Sequence, residues 1–415
     1  MSVLAIIAEY NPYTKGHDYL LQEAKRITGA DTAVSVMGGN FLQRGIPAMW
    51  NKYTRAEAAV RAGLDCVIEL PFAYATGSAL DFAQGAVSLL NALSCVDFLC
   101  FGAETEDTDT LLKISDFLTY EPADYQSKLK EALSSGLSFP AAREEALFFC
   151  GKLADRTKLH ELLSSPNNIL AIEYLTAIKR TGSALRPVMI KRAGSDYKST
   201  ETNAALASAT AVRAEYIKCK NSSGIKAMIP EPVFDVLKSA DQKSAPITED
   251  LLTPFLQQAL LLQPDISEIY GISEATANKL KNISGAKTYD EMRALLHTRE
   301  ITESAVSRGL IHLILQYNKE DRILLQSAGD ALYANILALR ENASSLIKEA
   351  GKTSSIPVIN LKKHAERILS SCAHSDAALL SWQLDTRATA LYNCLVKNRF
   401  QTELPTDLTV KYPVV

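Results

Sequence analysis

The chain has 415 residues, of which 47% are hydrophobic and 22% are charged, and its formal net charge is −3. This length predicts two or three domains, and the charge excludes a general positive field for nucleic acid, so any RNA contact must come from local basic patches. The seven cysteines contain no C-x-x-C pair, which argues against disulfide partners and a zinc site. We find no basic leader before an apolar segment and no run of about 18 apolar residues, so we expect a cytoplasmic protein without membrane contact.

The first twenty residues predict a strand, a tight loop and a helix. Residues 3–8 form a short apolar run typical of a strand buried on both faces, and Asn11 and Pro12 end it. Gly16 permits close backbone approach, and His17 opens a helical period. The N–H groups of a helix start favour a phosphate, and a histidine there can donate a hydrogen bond as negative charge develops. Without further context, the same pair is equally well a loop glycine and a capping histidine.

Further strands alternate with helices along the next 180 or so residues. The predicted strands are residues 32–37, 64–70, 96–101 and 186–192, and the predicted helices are residues 54–62, 81–93 and 165–174. Residues 105–161 are predicted to form a helical insertion, and a Gly-Ser-Asp loop at 194–196 follows the last strand. This alternation predicts an α/β fold with a Rossmann-like, doubly wound parallel sheet whose ligand lies at the carboxyl ends of the strands.

Several cations follow the glycine-containing loop 38–40 after the second strand. Arg44, Lys52 and Arg55 come soon after it, together with Gln43. Two interpretations remain open for them, a solvated surface or contacts with a phosphate or an RNA backbone.

A second helix start has residues suited to an anion. Ser208 and Thr210 in S-A-T-A-V-R can satisfy backbone N–H groups, and Arg213, one turn further, can reach the same anion. Taken alone, this stretch is an ordinary capping motif. Gly102, after the fourth strand, would allow a nucleotide to lie against the backbone.

From residue 230 the pattern becomes mainly helical, so we predict an α/β domain at 1–229 and a mainly helical domain at 230–415. Residues 333–339 and 356–359 are expected to pair as two short strands in a small terminal subdomain. Basic residues in the helical part form either a solvated face or a strip that contacts a nucleic-acid backbone. These residues are Lys279, Lys281, Lys287, Arg293, Arg299 and Arg308.

These motifs resemble those of a known superfamily. N-P-Y-T-K-G-H at 11–17 resembles the N-P-F-H-x-G-H signature of HIGH-motif nucleotidylyltransferases, with Thr14 in place of the first histidine. S-A-T-A-V-R resembles the second signature, I-S-S-T-x-x-R, which grips the β- and γ-phosphates of ATP. Further stretches at 37–71, 165–170 and 190–195 are similar to the bacterial tRNA(Met) cytidine acetate ligases. Because threonine cannot be a cation, charge stabilisation should depend more on His17 and on basic residues.

The resemblance implies that residues 1–229 form the catalytic domain and that residues 230–415 form a tRNA-binding domain. It also implies a two-step reaction. Acetate and ATP give acetyl-adenylate, and the exocyclic amine of the wobble cytidine of elongator tRNA(Met) then takes the acetyl group. It implies that His17 stabilises the transition state at the α-phosphate, and Mg²⁺ is expected with ATP although no carboxylate cluster marks a protein site. The implied nucleotide-binding residues are Ile7, Ala8, Glu9, Tyr10, Asn11, Pro12, Gly16, His17, Leu20, Gly102, Asn167, Asn168, Arg192, Ser208, Thr210 and Arg213. The alternatives are a small-molecule adenylyltransferase and a nucleotide- or RNA-binding protein without turnover.

Overall fold

The structure is a computed structural model that describes residues 2–151, 155–192, 206–283 and 287–415. Strands from both halves of the chain form one mostly parallel sheet. Its strands are β1 Val3–Ala8, β2 Thr32–Gly38, β3 Cys66–Leu70, β4 Phe98–Ala103, β5 Arg186–Lys191, β6 Ala334–Leu339 and β7 Val358–Ile359. Their order across the sheet is β5-β4-β1-β2-β3-β6-β7, and the pairing is parallel except between β3 and β6. The predicted Rossmann-like α/β fold is therefore confirmed.

The helices surround this sheet and make up most of the remaining chain. They are α1 Lys15–Thr28, α2 Lys52–Arg61, α3 Phe72–Ala75, α4 Ala79–Leu93, α5 Thr108–Tyr120, α6 Ala123–Ser134, α7 Phe139–Phe149, α8 Arg156–Ser164, α9 Pro166–Arg180, α10 Ala209–Cys219, α11 Glu231–Ala240, α12 Thr253–Leu262, α13 Glu274–Asn282, α14 Tyr289–Leu296, α15 Glu303–Leu315, α16 Lys319–Ser327, α17 Ser344–Thr353, α18 Ala365–Leu369 and α19 Ser375–Phe400. Short 3₁₀ segments lie at Ser222–Met228, Glu249–Leu252, Ile266–Glu268, Glu341–Ala343 and Lys362–His364.

The helix predictions agree with these bounds to within a few residues in most places. The insertion at 105–161 is seen as α5 to α8, and the mainly helical part after residue 230 is seen as α11 to α19 together with β6 and β7. The predicted loop at 194–196 lies outside the described residues. Within the described ranges, we find no helix with the length and apolarity that a bilayer span requires.

Strand β1 shows why helices cover both faces of the sheet. Val3 and Ala5 belong to the core that contains residues of α4 and α9, whereas Leu4 and Ile6 belong to the core that contains residues of α1 and α2. Successive side chains of a strand point to opposite faces, so an uninterrupted apolar run needs cover on both sides. The sheet edge where β1 and β4 end is left open to ligands.

The C-terminal strands complete the sheet. β6 and β7 pair with each other as predicted, with Ala334 opposite Val358, but β6 also pairs with β3, with Cys66 opposite Leu339. They therefore extend the main sheet and form no separate sheet of a terminal subdomain. The backbone N–H and C=O groups at the edge of β3 need a partner strand. The local pattern of residues 333–359 does not show that β6 is that partner. The domain division at residue 230 stays a prediction, with strands from both sides sharing one sheet.

A buried charge network joins α2 to the C-terminal segment. Lys52 is fully buried, and its Nζ lies 2.8 Å from Glu69 Oε1 and 3.0 Å from the Asp407 carboxylate. Asn335 Nδ2 donates to the other oxygen of Glu69 at 2.7 Å. Burial alone would lower the pKa of Lys52, but the charges of Asp407 and Glu69 raise it above its usual range, so the ammonium remains charged. Neither sequence interpretation of Lys52 was correct, because it contacts neither solvent nor the ligand cavity.

Replacing this lysine should destabilise the whole fold. Lys52→Met leaves two buried carboxylates without their cation, and we expect the free energy of unfolding to fall by about 3–5 kcal/mol in urea titrations. Arg61→Met is the matched control, since Arg61 pairs with Glu57 on the exposed face of the same helix, and it should cost less than about 1 kcal/mol. Equal losses for the two variants would contradict the structural role of the network.

Candidate functional site

A cavity of about 1160 Å³ lies at the carboxyl ends of β1, β4 and β5. Ala8, Gly102 and Lys191, each at the end of its strand, line its floor. Its walls come from the β1–α1 loop, the helical insertion, the start of α10 and the start of α15. This is the edge at which open α/β sheets bind ligands, as the sequence predicted.

Most of the predicted nucleotide-binding residues line this cavity. They are Ile7, Ala8, Glu9, Tyr10, Asn11, Gly16, His17, Leu20, Gly102, Asn167, Arg192, Ser208, Thr210 and Arg213. Pro12 and Asn168 do not line it. The buried Asn168 instead accepts hydrogen bonds at Oδ1 from the N–H groups of Glu104, at 2.9 Å, and Thr105, at 3.2 Å. Its side chain thus holds the loop after β4 against the start of α9.

The β1–α1 loop fixes the position of His17. Helix α1 begins at Lys15, two residues earlier than predicted, so that Thr14 is its N-cap and His17 occupies the third helical position. Tyr10 adopts a left-handed conformation with φ 45°, a strained backbone for a bulky residue that is typical of functional loops. A Cβ on Gly16 would meet protein no closer than Thr14 Oγ1, at 3.5 Å. Packing therefore does not require this glycine, whose missing side chain leaves more of the cavity open.

Thr14 fixes the tautomer of His17, and burial keeps the ring neutral. The backbone N–H of Thr14 donates to His17 Nδ1 at 3.0 Å, and Thr14 Oγ1 lies 3.1 Å from the same nitrogen. Nδ1 is therefore an acceptor, and the neutral ring carries its proton on Nε2. Burial, and secondarily the positive charge of Arg192, lower the pKa of His17 to about 3. At neutral pH, His17 offers one N–H donor and no charge.

Positive charge reaches the cavity from helix starts and arginines. Helices α1 and α10 both begin at its wall, and Ser208 caps α10 by accepting from Ala211 N–H at 3.2 Å. Arg213 Nη1 donates to the Asn11 carbonyl at 2.9 Å, which ties α10 to the β1–α1 loop. Arg192, beside Gly102, also lines the cavity. Two helix N-termini and two guanidinium groups suit a polyanion such as a triphosphate.

Arg55 is a buried cation that supports the backbone of the site without lining the cavity. Its buried guanidinium donates to the carbonyl oxygens of Glu9 at 2.5 Å, Trp50 at 2.9 Å and Gly38 at 3.1 Å, and also to that of Gly39. Burial lowers the pKa of Arg55 to about 10, so the group is still charged at neutral pH. It binds the ends of β1 and β2 together.

The residues that follow loop 38–40, the cations Arg44, Lys52 and Arg55 and the neutral Gln43, therefore separate into two groups. Gln43 and Arg44 line the cavity, as the phosphate or RNA interpretation requires. Lys52 and Arg55 are buried structural cations, so both sequence interpretations were wrong for them. No local pattern distinguishes these roles, because burial here depends on segments far away in the chain.

Helix α15 contributes a wall that sequence reasoning missed. Arg308, which we expected on an exposed basic strip, lines the cavity and donates to the Gln43 carbonyl at 3.3 Å. Gly45, at φ +72°, allows this close approach, because a Cβ there would lie 2.3 Å from Arg308 N. Arg293 of the same predicted strip is engaged in ion pairs instead, the shortest at 2.9 Å to Asp290.

The helical insertion adds a second unexpected wall. The side chains of Arg143 and Glu173 form a largely buried ion pair that lines the cavity together with the buried Tyr125. Nothing in the spacing of these residues identifies them from sequence, since α7 and α9 meet only through tertiary packing. The buried His312 lies within hydrogen-bond distance of Thr76 Oγ1 and the Tyr270 carbonyl oxygen and does not line the cavity.

The tautomer of His17 can be tested directly by ¹⁵N NMR of the folded protein. We expect a neutral Nε2–H ring between about pH 5 and 8, which begins to protonate only near pH 3. Because the folded pKa lies below the unfolded value of about 6.5, His17 contributes stability above that pH, and this is lost as the pH falls toward 3. The urea-unfolded chain is the control, and a folded-state Nδ1–H ring or a titration near 6.5 would contradict the structure.

Comparison with known proteins shows the family of the chain. Residues 1–406 match the model of the HIGH Nucleotidyl Transferase family. The tRNA(Met) cytidine acetate ligase of Thermoanaerobacter sp. (strain X514) is 36% identical, and that of Acetivibrio thermocellus 37%, each alignment covering 96% of both chains.

Two solved structures of Thermotoga maritima TmcAL are also similar over the full length of both chains. The form bound with alpha-thio ATP has a TM-score of 0.91 at 28% identity, and an apo form has 0.92 at 29%. The chain thus belongs to the HIGH nucleotidyl transferase family and, within it, to the tRNA(Met) cytidine acetate ligases.

Proposed function

We propose that the chain is an ATP-dependent acetate–tRNA ligase of the cytoplasm. Acetate attacks the α-phosphorus of ATP and pyrophosphate leaves, giving acetyl-adenylate. The exocyclic amine of the wobble cytidine of elongator tRNA(Met) then takes the acetyl group, giving N-acetylcytidine and AMP. One observation carries the proposal: the neutral His17, Arg192, Arg213 and the starts of α1 and α10 all face one cavity. The names of the relatives, and the ATP analogue bound by the Thermotoga protein, support the same assignment.

The first step depends on positioning and on stabilising charge, and it requires no protein nucleophile. We assign the Nε2–H of His17 to an oxygen of the α-phosphate, where negative charge develops as pyrophosphate leaves. Arg192, Arg213 and the two helix starts supply the positive field for the triphosphate. The remaining predicted nucleotide-binding residues, including Pro12 and Asn168, act in this proposal by shaping and supporting the loops around the nucleotide.

Mg²⁺ is proposed to accompany ATP. Among the described residues there is no group of three or more histidine, cysteine, aspartate or glutamate side chains able to hold a metal ion. Such a protein fits an ion held mainly by phosphate oxygens and water, which is a common arrangement for Mg²⁺. When bound, the ion neutralises triphosphate charge, and the chain's own residues orient the phosphates.

The size of the cavity supports a second substrate. Pockets for one small molecule occupy roughly 300–1,000 Å³, and this cavity exceeds that range at about 1160 Å³. We assign the wall formed by Gln43, Arg44, Tyr270 and Arg308 to the incoming nucleotide of tRNA, because cations and an aromatic ring suit phosphate and base. The basic residues elsewhere in the helical part stay a predicted contact surface for the tRNA backbone.

The decisive experiment incubates the chain with ATP, labelled acetate and total bacterial tRNA, and then identifies the labelled nucleoside. We expect label in N-acetylcytidine and acetate-dependent pyrophosphate release. Release that needs a phosphorylated small molecule would favour an adenylyltransferase, and nucleotide binding without any release would favour a silent binding protein. Either result would overturn the proposal.

Substitution of His17 should separate chemistry from RNA binding. His17→Ala removes the donor to the α-phosphate, so we expect acetyl-adenylate formation to fall by ~10²–10³-fold while tRNA binding is nearly unchanged. Adenylate formation is followed by acetate-dependent exchange of pyrophosphate into ATP. His160→Ala is the control, because His160 is exposed on α8 beside Glu144. Full activity of the His17 variant would refute the placement of the site.

A further inference from the structure

Acetyl transfer to tRNA is the second half-reaction of the proposed function, on which this inference rests. It needs a proton acceptor, which adenylate formation does not. The lone pair of the cytidine amine is delocalised into its ring, so the amine is a weak nucleophile and must lose a proton as it attacks. The new N–C bond forms, the bond from the carbonyl carbon to the phosphate oxygen breaks, and AMP leaves with that electron pair. The proton released from nitrogen requires an acceptor within hydrogen-bond reach.

His17 cannot be that acceptor in the tautomer that the loop imposes. Its Nδ1 already accepts the N–H of Thr14 at 3.0 Å, and its Nε2 carries the ring proton. Neither nitrogen has a lone pair directed to a substrate proton. A protein group that accepts this proton is therefore another side chain on the cavity wall.

Within the described residues, most carboxylates that line the cavity either form an ion pair with an arginine or lie on an exposed loop. Glu173 pairs with Arg143, and Glu121 pairs with Arg180 at 3.0 Å. Asp81 pairs with Arg322 and also caps α4 by accepting hydrogen bonds from Ser78. Glu300 is exposed on the loop before α15. Of the cavity-lining carboxylates in the described residues, only Glu9 lies in the β1–α1 loop, which leads to His17 in the first turn of α1.

Hydrogen bonds hold Glu9 in a fixed position, as a general base requires. Its Oε1 accepts the N–H of Gln43 at 2.8 Å, and its own carbonyl oxygen accepts from Arg55 Nη1 at 2.5 Å. The left-handed Tyr10 follows it directly. In the described part of the chain, Glu9 takes part in no ion pair within 4 Å, so its carboxylate retains proton-accepting capacity.

We propose that the Glu9 carboxylate is the general base of acetyl transfer, taking the proton from the cytidine amine as that nitrogen attacks acetyl-adenylate. The side chain is half-buried, lines the cavity and lies eight residues before His17, at the end of β1. Arg192 and Arg213 line the same cavity, so one carboxylate does not reverse the positive charge presented to the phosphates. The proton passes to solvent after AMP and the acetylated tRNA leave.

The test uses Glu9→Gln, which keeps an oxygen to accept the Gln43 N–H but cannot take up a proton. Three rates are measured in the full chain: acetate-dependent exchange of pyrophosphate into ATP, trapping of bound acetyl-adenylate by hydroxylamine, and acetyl transfer to tRNA(Met). Hydroxylamine is a strong nucleophile that reacts without a protein base. We expect transfer to fall by ~10²–10⁴-fold relative to the first two rates of the same variant, since those two rates report any effect of the change on nucleotide binding. Glu9→Asp should recover part of the transfer rate.

Glu23→Gln is the matched control, because Glu23 pairs with Arg26 on the surface of α1, and all three of its rates should be unchanged. Transfer at the wild-type rate by Glu9→Gln would overturn the assignment. A parallel loss of all three rates would also overturn it, by showing that Glu9 only supports the loop. If the wild-type chain shows no acetate-dependent exchange, the proposed function itself fails, and that result is distinct from either of these.

Discussion

The site depends on a buried guanidinium group that does not line the cavity. Arg55 is buried behind the β1–α1 loop and donates to main-chain carbonyl oxygens at the ends of β1 and β2, including those of Glu9 and Gly38. A buried charge is costly unless dipoles replace its hydration, and the planar fork of arginine can satisfy several carbonyls at once. This bonding holds the strained backbone at Tyr10 in place. Without it, the loop that presents Glu9 and His17 would be free to relax.

In the site, one group provides a neutral hydrogen-bond donor and other groups provide the positive charge. The Thr14 backbone fixes His17 as a neutral donor, whereas Arg192, Arg213 and the helix starts provide positive charge. A neutral donor that does not titrate near pH 7 gives the same hydrogen bond throughout the physiological range. It also leaves proton transfer to another group, and the free carboxylate of Glu9 fits that role.

Long-range contacts make one cavity from distant parts of the chain. The Lys52–Asp407 ion pair ties the C-terminal segment to α2, and Gly45 allows α15 to approach until Arg308 faces the same space as His17. The insertion closes the opposite side with Arg143 and Glu173. The cavity is therefore large enough for more than a nucleotide, which is what a ligase with an RNA acceptor needs.

The amino-acid sequence by itself determined the strand–helix alternation, the parallel sheet and the two helix starts to which we assign phosphate binding. Those features depend on local periodicity and on short motifs, such as residues 11–17 and Ser208 to Arg213, so they can be read in order along the chain. Only the tertiary structure decided that Lys52 and Arg55 are internal, that β6 completes the main sheet, and that Arg308 belongs to the cavity. Burial and pairing at these positions depend on contacts between residues tens to hundreds of positions apart, and no local pattern specifies them.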